Sequence, residues 1–520
     1  MSMNLGTYLA RSASYYPDLE ALVCGEGRWT YSELDTAANR LASALAVIGT
    51  RPGHMIGTFA GNCGELVVTE MALYKGGFVR VPINARLGAD ELGHILADAD
   101  VRVLFVDAAH AGVALKVVAD AGLNCRVIDY STSTPGADSY HELTARGSED
   151  NVEVDVDIDA PAVLNYTSGS TGKLKAAVQS HGNRLANMRK RLMSPEGAPT
   201  VGDRYLAPGP ITHASGMVML GMFARGAAVV ILPAWDTRTF LQTIERERIT
   251  TTMVVPTMLN LLMDHPSVTD VDLSSLRCIG VGAAPVSPQR MRDAVKVFGP
   301  IVIQGYGLGE TTSVVTVLTA EDVVRGIESD PELLLSCGRP AYDTDVRVVD
   351  DNGVQVPAGT IGEIVASGPD CVREYFHEPE LSAETFRNGW VHTGDVGYFR
   401  EDGYLFIVDR KKDMIISGGF NIYCSEVEAA LYEHPAVSEV CVVGVPDPKW
   451  GEAVKAVVVT RDGTDTTAME LIAHCSTRLA SMKKPRSVDF ADSLPVNRNG
   501  KIDRRAIRAT YWTTADRHVN

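Results

Sequence analysis

Residues 166–175 read Tyr-Thr-Ser-Gly-Ser-Thr-Gly-Lys-Leu-Lys, a run that crowds hydroxyls, glycines and two lysines into one loop. It follows Ala162-Val163-Leu164-Asn165, which has the composition of a strand end. Gly169 and Gly172 let the backbone turn tightly, so that its N–H groups converge on an anion. Thr167, Ser168, Ser170 and Thr171 add side-chain donors, and Lys173 and Lys175 add positive charge. That chemistry suits a polyphosphate. The two glycines stand too close together for a Walker A loop. The competing reading, a flexible Ser/Gly linker, sits badly with a run that follows directly on a buried strand and carries paired lysines.

Such a loop needs a scaffold, and the rest of the chain supplies the pattern of one. Between about residues 30 and 410, short apolar runs alternate with helical stretches, for example 55–59 before the helical 65–75, and 101–106 after the helical 90–98. Residues 227–232, 252–255, 278–281 and 301–304 are further buried-type strands. Strands alternating with helices predict a large α/β domain with parallel sheets, whose ligands bind beyond the carboxyl ends of the strands. Near residue 340 the texture changes: 345–349, 361–366, 390–392 and 404–408 read as strands separated by turn residues, a β-rich subdomain. The charged cluster Asp409-Arg410-Lys411-Lys412-Asp413 is the best boundary, giving a domain over 1–409 and a small α+β domain over 410–520. In the latter, Ser425 is expected to cap a helix through Tyr432, with Glu428 completing a capping box. Strands follow at 440–445 and 454–460, and a second helix at 468–479.

A chain of 520 residues exceeds one core, so two or more domains are expected. Its 45% hydrophobic and 22% charged residues are ordinary for a globular protein. A net charge of −17 argues against a general nucleic-acid binder, yet allows an ATP enzyme in which local lysines and Mg²⁺ offset phosphate charge. No apolar run approaches membrane-spanning length, and the start lacks the regions of a signal peptide. The nine cysteines are scattered without a CxxC pair, which indicates neither a zinc site nor a disulfide framework and points to the cytoplasm.

Five segments occur in order: the 167–175 loop; Tyr306-Gly307-Leu308-Gly309-Glu310-Thr311-Thr312; Trp390-Val391-His392-Thr393-Gly394-Asp395; the 409–413 cluster; and Pro495-Val496-Asn497-Arg498-Asn499-Gly500-Lys501. Together, over almost the whole chain, they resemble the adenylate-forming superfamily of acyl-CoA synthetases, peptide-synthetase adenylation domains and luciferases. The resemblance implies a small C-terminal domain that moves about a hinge at Lys412. It also implies ATP, Mg²⁺ and, as the favoured acceptor, CoA. The loop would cradle the β- and γ-phosphates, Ala283-Ala284-Pro285 would flank the adenine, and Tyr306, beside Gly307, would stack on it. Glu310 would hold Mg²⁺, a hard cation suited to carboxylate oxygen. Asp395 would accept from the ribose hydroxyls, and Arg410 would also contact the ribose. Lys501 would bridge the attacking carboxylate and the α-phosphate, where a compact point charge stabilises developing negative charge. After the domain turns about Lys412, Gly418 and Gly419 would border a channel for the thiol. His213, Gly282, Gln304 and Gly305 would line the acyl pocket. Taken singly, Tyr306 reads equally as a core aromatic, Asp395 as a turn residue, Lys501 as an exposed lysine and His213 as a core histidine. His181 reads as structural.

The chain departs from the pattern at Gly309, where threonine is usual, and at Leu174, Ala176 and Cys424, which replace a proline, a glycine and a proline. The leading expectation is a carboxylate–CoA ligase working through acyl-AMP on a fatty, medium-chain or aryl acid, with lipid-length acids less favoured. The alternatives are an adenylating enzyme that delivers to a carrier protein or an amine, including diazotase-like activation of nitrite for an aryl amine, and a non-catalytic nucleotide-binding protein. A homodimer is also compatible with the reading.

Overall fold

The apolar runs align as two stacked layers of parallel strands. The computed structural model describes residues 2–131, 134–168, 174–312, 314–461, 463–496 and 502–512. Among them, one sheet runs edge to edge through Leu174–Ser180, Pro161–Ser168, Val79–Pro82, Met55–Phe59, Val103–Val106, Arg126–Asp129 and Asp138–Ser139. Its first two strands form an antiparallel hairpin and the remainder are parallel. A second sheet runs through Arg339–Pro340, Val314–Leu318, Val302–Gly307, Cys278–Val281, Thr251–Val254, Arg204–Ala207, Ala228–Ile231, Glu20–Cys24 and Gly27–Thr30. Its interior is parallel, with antiparallel strands at both edges.

The helix Gly64–Lys75 is buried at every residue but Glu65. The reason is its place: one apolar cluster draws on Ile56, Val103, Phe105 and Ile128 of the first sheet and on Leu22, Tyr205, Val229 and Ile231 of the second, with this helix between them. Charges caught in that layer are paired, as desolvation requires. Lys75 lies 2.8 Å from Asp35, and Glu70 lies 3.1 Å from Arg80.

The chain divides into two compact units. The first holds residues 1–347, 365–392 and 403–405, and the second 348–364, 393–402 and 406–520. In the second, Val437–Asp447 and Gly451–Thr460 form a long antiparallel hairpin; Gly451–Thr460 pairs on its other edge with Ile415–Ser417, which carries Phe420–Ile422, and further along with Ser487–Phe490. Strand alternation divides its core. Val440 and Val442 pack with Val427, Leu431, Leu471 and Cys475, from the helices Cys424–Tyr432 and Ala468–Ser476. Cys441 and Val443 point the other way, to Leu494 and Ile507.

The capping box expected at Ser425 and Glu428 does not form. The helix starts one residue earlier, at Cys424, and its N-cap Tyr423 makes no side-chain cap bond. Ser425 instead donates its hydroxyl to Val408 O and its N–H to Asp409. Glu428 accepts from Val442 N at 2.7 Å and pairs with Arg504 at 2.6 Å. Tertiary partners have taken both side chains away from the local motif. The later helix ends at Ser476 rather than 479.

Candidate active site

The phosphate-type run is less of a loop than its composition implies. Tyr166, Thr167 and Ser168 end the strand Pro161–Ser168, and Leu174 and Lys175 open the return strand, with Thr167 opposite Lys175 and Ser168 opposite Leu174. Gly169, Ser170, Thr171, Gly172 and Lys173 lie outside the described residues, as does Lys501. Both strands of the pair are pinned to the helix Ala89–Asp98: the Tyr166 hydroxyl donates to Asp98 at 2.5 Å, and His94 Nε2 stands 3.3 Å from Leu174 O.

A third segment extends the hairpin. Val178 N donates to Glu374 O, Phe376 N donates to Ala176 O, and Ala177 bridges Tyr375. This pairing sets Tyr375 beside Lys175. The Tyr375 hydroxyl donates to Glu310 Oε1 at 2.6 Å, while Lys175 Nζ stands 3.8 Å from the same oxygen and 3.7 Å above the Tyr375 ring centroid. Burial, then the nearby Glu310 charge, raises the phenol pKa, so the hydroxyl keeps its proton.

Glu310 projects from the single turn Gly309–Thr311 that follows the strand Val302–Gly307. The turn is fastened where it leaves. Val372 N donates to Glu310 O at 2.9 Å, and Thr312, at φ 53°, donates its hydroxyl to Asp370 O. Asp370 is in turn paired with buried Lys190 at 2.5 Å. Gly309 lies against the hairpin: a Cβ there would stand 3.0 Å from Asn165 Nδ2 and 3.4 Å from Thr167 Cγ2.

Other expected residues gather at the carboxyl ends of neighbouring strands. Gly282 follows the strand Cys278–Val281, and a Cβ on it would stand 3.2 Å from Gly305 O, so the two backbones approach closely. Ala283, at φ 70°, is exposed with Ala284 and Pro285. Tyr306, half-buried, and Gly307, exposed, end the strand Val302–Gly307. Gln304 is buried on that strand; its amide donates to Ser336 O at 3.5 Å, and its Oε1 has no hydrogen-bond partner among the described residues. His213 is half-buried, 3.1 Å from the Thr212 hydroxyl, and burial followed by the charges of Arg80 and Arg86 depresses its pKa. Its loop is held by Asn62, which donates to Gly209 O and Leu232 O and accepts from Ile211 N.

In the second unit, Asp395 is buried with Arg410 Nε at 3.2 Å. Gly394, at φ 70°, accepts at its carbonyl from Lys411 N. Lys412 is exposed. Gly418 and Gly419, both at positive φ, turn the hairpin between Ile415–Ser417 and Phe420–Ile422. A Cβ on Gly418 would reach within 2.5 Å of the Trp450 ring, a close approach that only glycine allows. Val496 and Ile502, on either side of the Lys501 segment, pair as a bridge.

The structure thus brings Thr167, Lys175, Gly309 and Glu310 together in one unit and Asp395 with Arg410 in the other. The sequence reading missed Tyr375 and Asn62. Neither lies in a motif, and only the strand pairing at 374–376 and the packing of the 209–216 loop reveal them.

Parallel sheets of this order, carrying those five segments on a large and a small unit, define an adenylate-forming enzyme, one that activates an acid by joining it to AMP. The AMP-binding enzyme family model matches residues 9–376, and that of the AMP-binding enzyme C-terminal domain matches residues 426–501; the chain belongs to the AMP-binding enzyme family. It is 40% identical over 512 residues to a feruloyl-CoA synthase of Amycolatopsis sp, covering 98% of this chain and 99% of that one. Among solved structures, the amide bond synthetase McbA from Marinactinospora thermotolerans superposes with a TM-score of 0.89 at 30% identity, covering 98% of this chain and 100% of that one. The o-succinylbenzoate CoA synthetase MenE from Bacillus subtilis, in complex with its acyl-adenylate intermediate, superposes with a TM-score of 0.86 at 30% identity, covering 98% of each chain.

Proposed function

We propose that this enzyme is an ATP-dependent carboxylate–CoA ligase of the AMP-forming type, acting on an aromatic or medium-chain acid. The carboxylate attacks the α-phosphorus of ATP and pyrophosphate leaves. The CoA thiol then attacks the acyl carbonyl of the mixed anhydride and AMP leaves, a far better leaving group than oxide. The observation that carries the reading is the meeting of Lys175 and Glu310, 135 positions apart in sequence, beside the strand ends at Ser168 and Leu174. Similarity to a feruloyl-CoA synthase along nearly the whole chain supports an aromatic acid and CoA as acceptor.

The residues divide the work by chemistry. Thr167, Lys175 and the 168–172 run would hold the terminal phosphates, Ala283, Ala284, Pro285, Tyr306 and Gly307 the adenine, and Asp395 with Arg410 the ribose. Lys501 would stabilise charge developing at the α-phosphate. Magnesium fits this donor set. Glu310 offers hard carboxylate oxygen, and among the described residues no cluster of three or more His, Cys, Asp or Glu side chains forms a cage, as expected for a cation shared between one carboxylate and a nucleotide. Bound there, it would neutralise phosphate charge. The acyl pocket would lie near His213, Gly282, Gln304 and Gly305; of these, Gln304 is turned toward Ser336 and would act from behind the wall. No helix among the described residues is long and apolar enough to cross a membrane, and all nine cysteines are thiols, which supports a cytoplasmic enzyme.

A second reading, delivery of the acyl group to an amine or a carrier protein, is favoured by the likeness to an amide bond synthetase. Pyrophosphate release with a panel of hydroxycinnamic, benzoic and medium-chain acids tests activation. Adding CoA, a carrier protein or an amine to each active acid then identifies the acceptor. Pyrophosphate release with none of the acids would refute the first step. Release without any CoA thioester would refute the second.

A further inference from the structure

Tyr375 is 3% exposed, and its ring packs against Ala177, Val372 and Phe386. A phenylalanine would serve all of that packing, so the hydroxyl needs a separate account. Its acceptor is Glu310 Oε1 at 2.6 Å, a short, charge-assisted hydrogen bond. The tyrosine is itself held firmly. Its backbone bridges Ala177, its N–H donates to Ser382 Oγ at 2.8 Å, and its ring lies 5.0 Å from that of Phe386. Glu310 projects from the three-residue turn Gly309–Thr311 and is only 15% exposed at its side chain. A firmly held donor therefore fixes one oxygen of the carboxylate.

Lys175 shares the arrangement. Its ammonium stands over the Tyr375 face and 3.8 Å from the same oxygen of Glu310. The ring attracts the cation through its quadrupole. A cation arriving at Glu310 repels Lys175, and an incoming phosphate draws it away from the carboxylate. The phenol is neutral and has no such conflict. A carboxylate offers about four lone-pair sites, so one can stay with Tyr375 while others bind a cation.

We infer that Tyr375 is the positioning residue for the cation-binding carboxylate: its hydroxyl fixes the Glu310 side chain through Oε1, so that a divalent cation on the nucleotide meets a preset ligand. This rests on the reading that Glu310 takes Mg²⁺, and the test separates the two. ATP binding is measured by titration calorimetry without any acid, in the presence and absence of Mg²⁺, for the native enzyme, Tyr375→Phe and Glu310→Gln. The ratio of the two affinities reports what the cation gains from the protein. Tyr375→Phe keeps the ring, its packing and the face under Lys175. It should cut the Mg²⁺ enhancement about tenfold, the scale of one lost hydrogen bond to a charged group, while leaving metal-free ATP affinity unchanged. A merely structural role would lower both affinities alike and leave the ratio intact. Glu310→Gln should abolish the enhancement. If Glu310→Gln abolishes it and Tyr375→Phe preserves it, the positioning role is wrong and the Glu310 assignment stands. If both variants keep the full enhancement, both readings fall.

Discussion

A single methyl group distinguishes two glycines of this enzyme, and the distances say how. On Gly216 an added Cβ would lie 1.9 Å from the carbonyl oxygen of Ile211, in the loop that carries His213. Backbone cannot yield by an ångström without tearing the Asn62 and Arg80 bonds that hold Ile211, so Gly216→Ala should cost about 3 kcal/mol or prevent folding. On Gly309 the nearest atom is the tip of a side chain, Asn165 Nδ2 at 3.0 Å, which needs to give only a few tenths of an ångström. Gly309→Ala should therefore cost less than about 1 kcal/mol. Urea denaturation of the two variants checks the contrast, and comparable losses would contradict it. Gly309 was legible as a departure because it stands inside a motif. What it makes room for was not, since Asn165 reaches it only through the fold. The same limit applies to Tyr375, whose partner Glu310 lies 65 positions away.

Elements explain which sequence expectations survived. Short apolar runs between helical stretches mark parallel strands because both faces of such strands are buried, and that signal is local. The run 166–175 was read as loop throughout because Ser, Thr and Gly are turn residues. Yet Thr167 and Lys175 face each other in a hairpin, where cross-strand bonds override local preference. That hairpin is held from outside by the helix Ala89–Asp98. Tyr166→Phe, which removes the bond to Asp98 and leaves the ring, should raise KM for ATP severalfold with little change in thermal stability. An unchanged KM would mean that the helix does not set the strand ends. The capping box failed for a related reason: Glu428 turned inward to Arg504, near Asp409 and Asp413. Burial, opposed by Arg504, lifts the Glu428 carboxyl to about 7. An acid whose folded pKa exceeds its unfolded value stabilises the fold fully below its usual range near 4.5, and that contribution is lost as pH rises through 7. One proton limits the slope to about 1.4 kcal/mol per pH unit. Glu428→Gln, which still accepts from Arg504 and Val442, should flatten the decline in stability between pH 5 and 8. Parallel curves for variant and native protein would rule out this titration.

At the scale of the molecule, the reaction assigns the two units separate duties that must be coordinated. Lys175 and Glu310, proposed to face the phosphates, belong to the first, while Asp395, Arg410, Lys412 and Lys501 belong to the second. Two different chemical steps ask different things of the second unit. Acid activation needs a cation at the α-phosphate, the duty given to Lys501. Thioester formation needs a narrow passage for a long thiol arm, which on the proposed reading the Gly418–Gly419 turn against Trp450 would border. On that reading one arrangement of the second unit would not serve both, and the linker at Lys412 would turn between steps, a movement of the kind that gates many turnovers. This division separates the half-reactions in a way that a single-state enzyme would not. Lys501→Ala should reduce pyrophosphate-forming activation by at least about a hundredfold, the scale of removing one transition-state charge contact, while CoA thioester formation from supplied acyl-AMP stays within about threefold of native. Lys412→Pro, which restricts φ at the linker, should show the reverse bias, with activation largely kept and thioester formation lost. Single-turnover measurements on each half-reaction read both variants directly. If each substitution depressed the two steps equally, the alternation between two arrangements would have no support, and the lysine and the linker would have to act within one closed state.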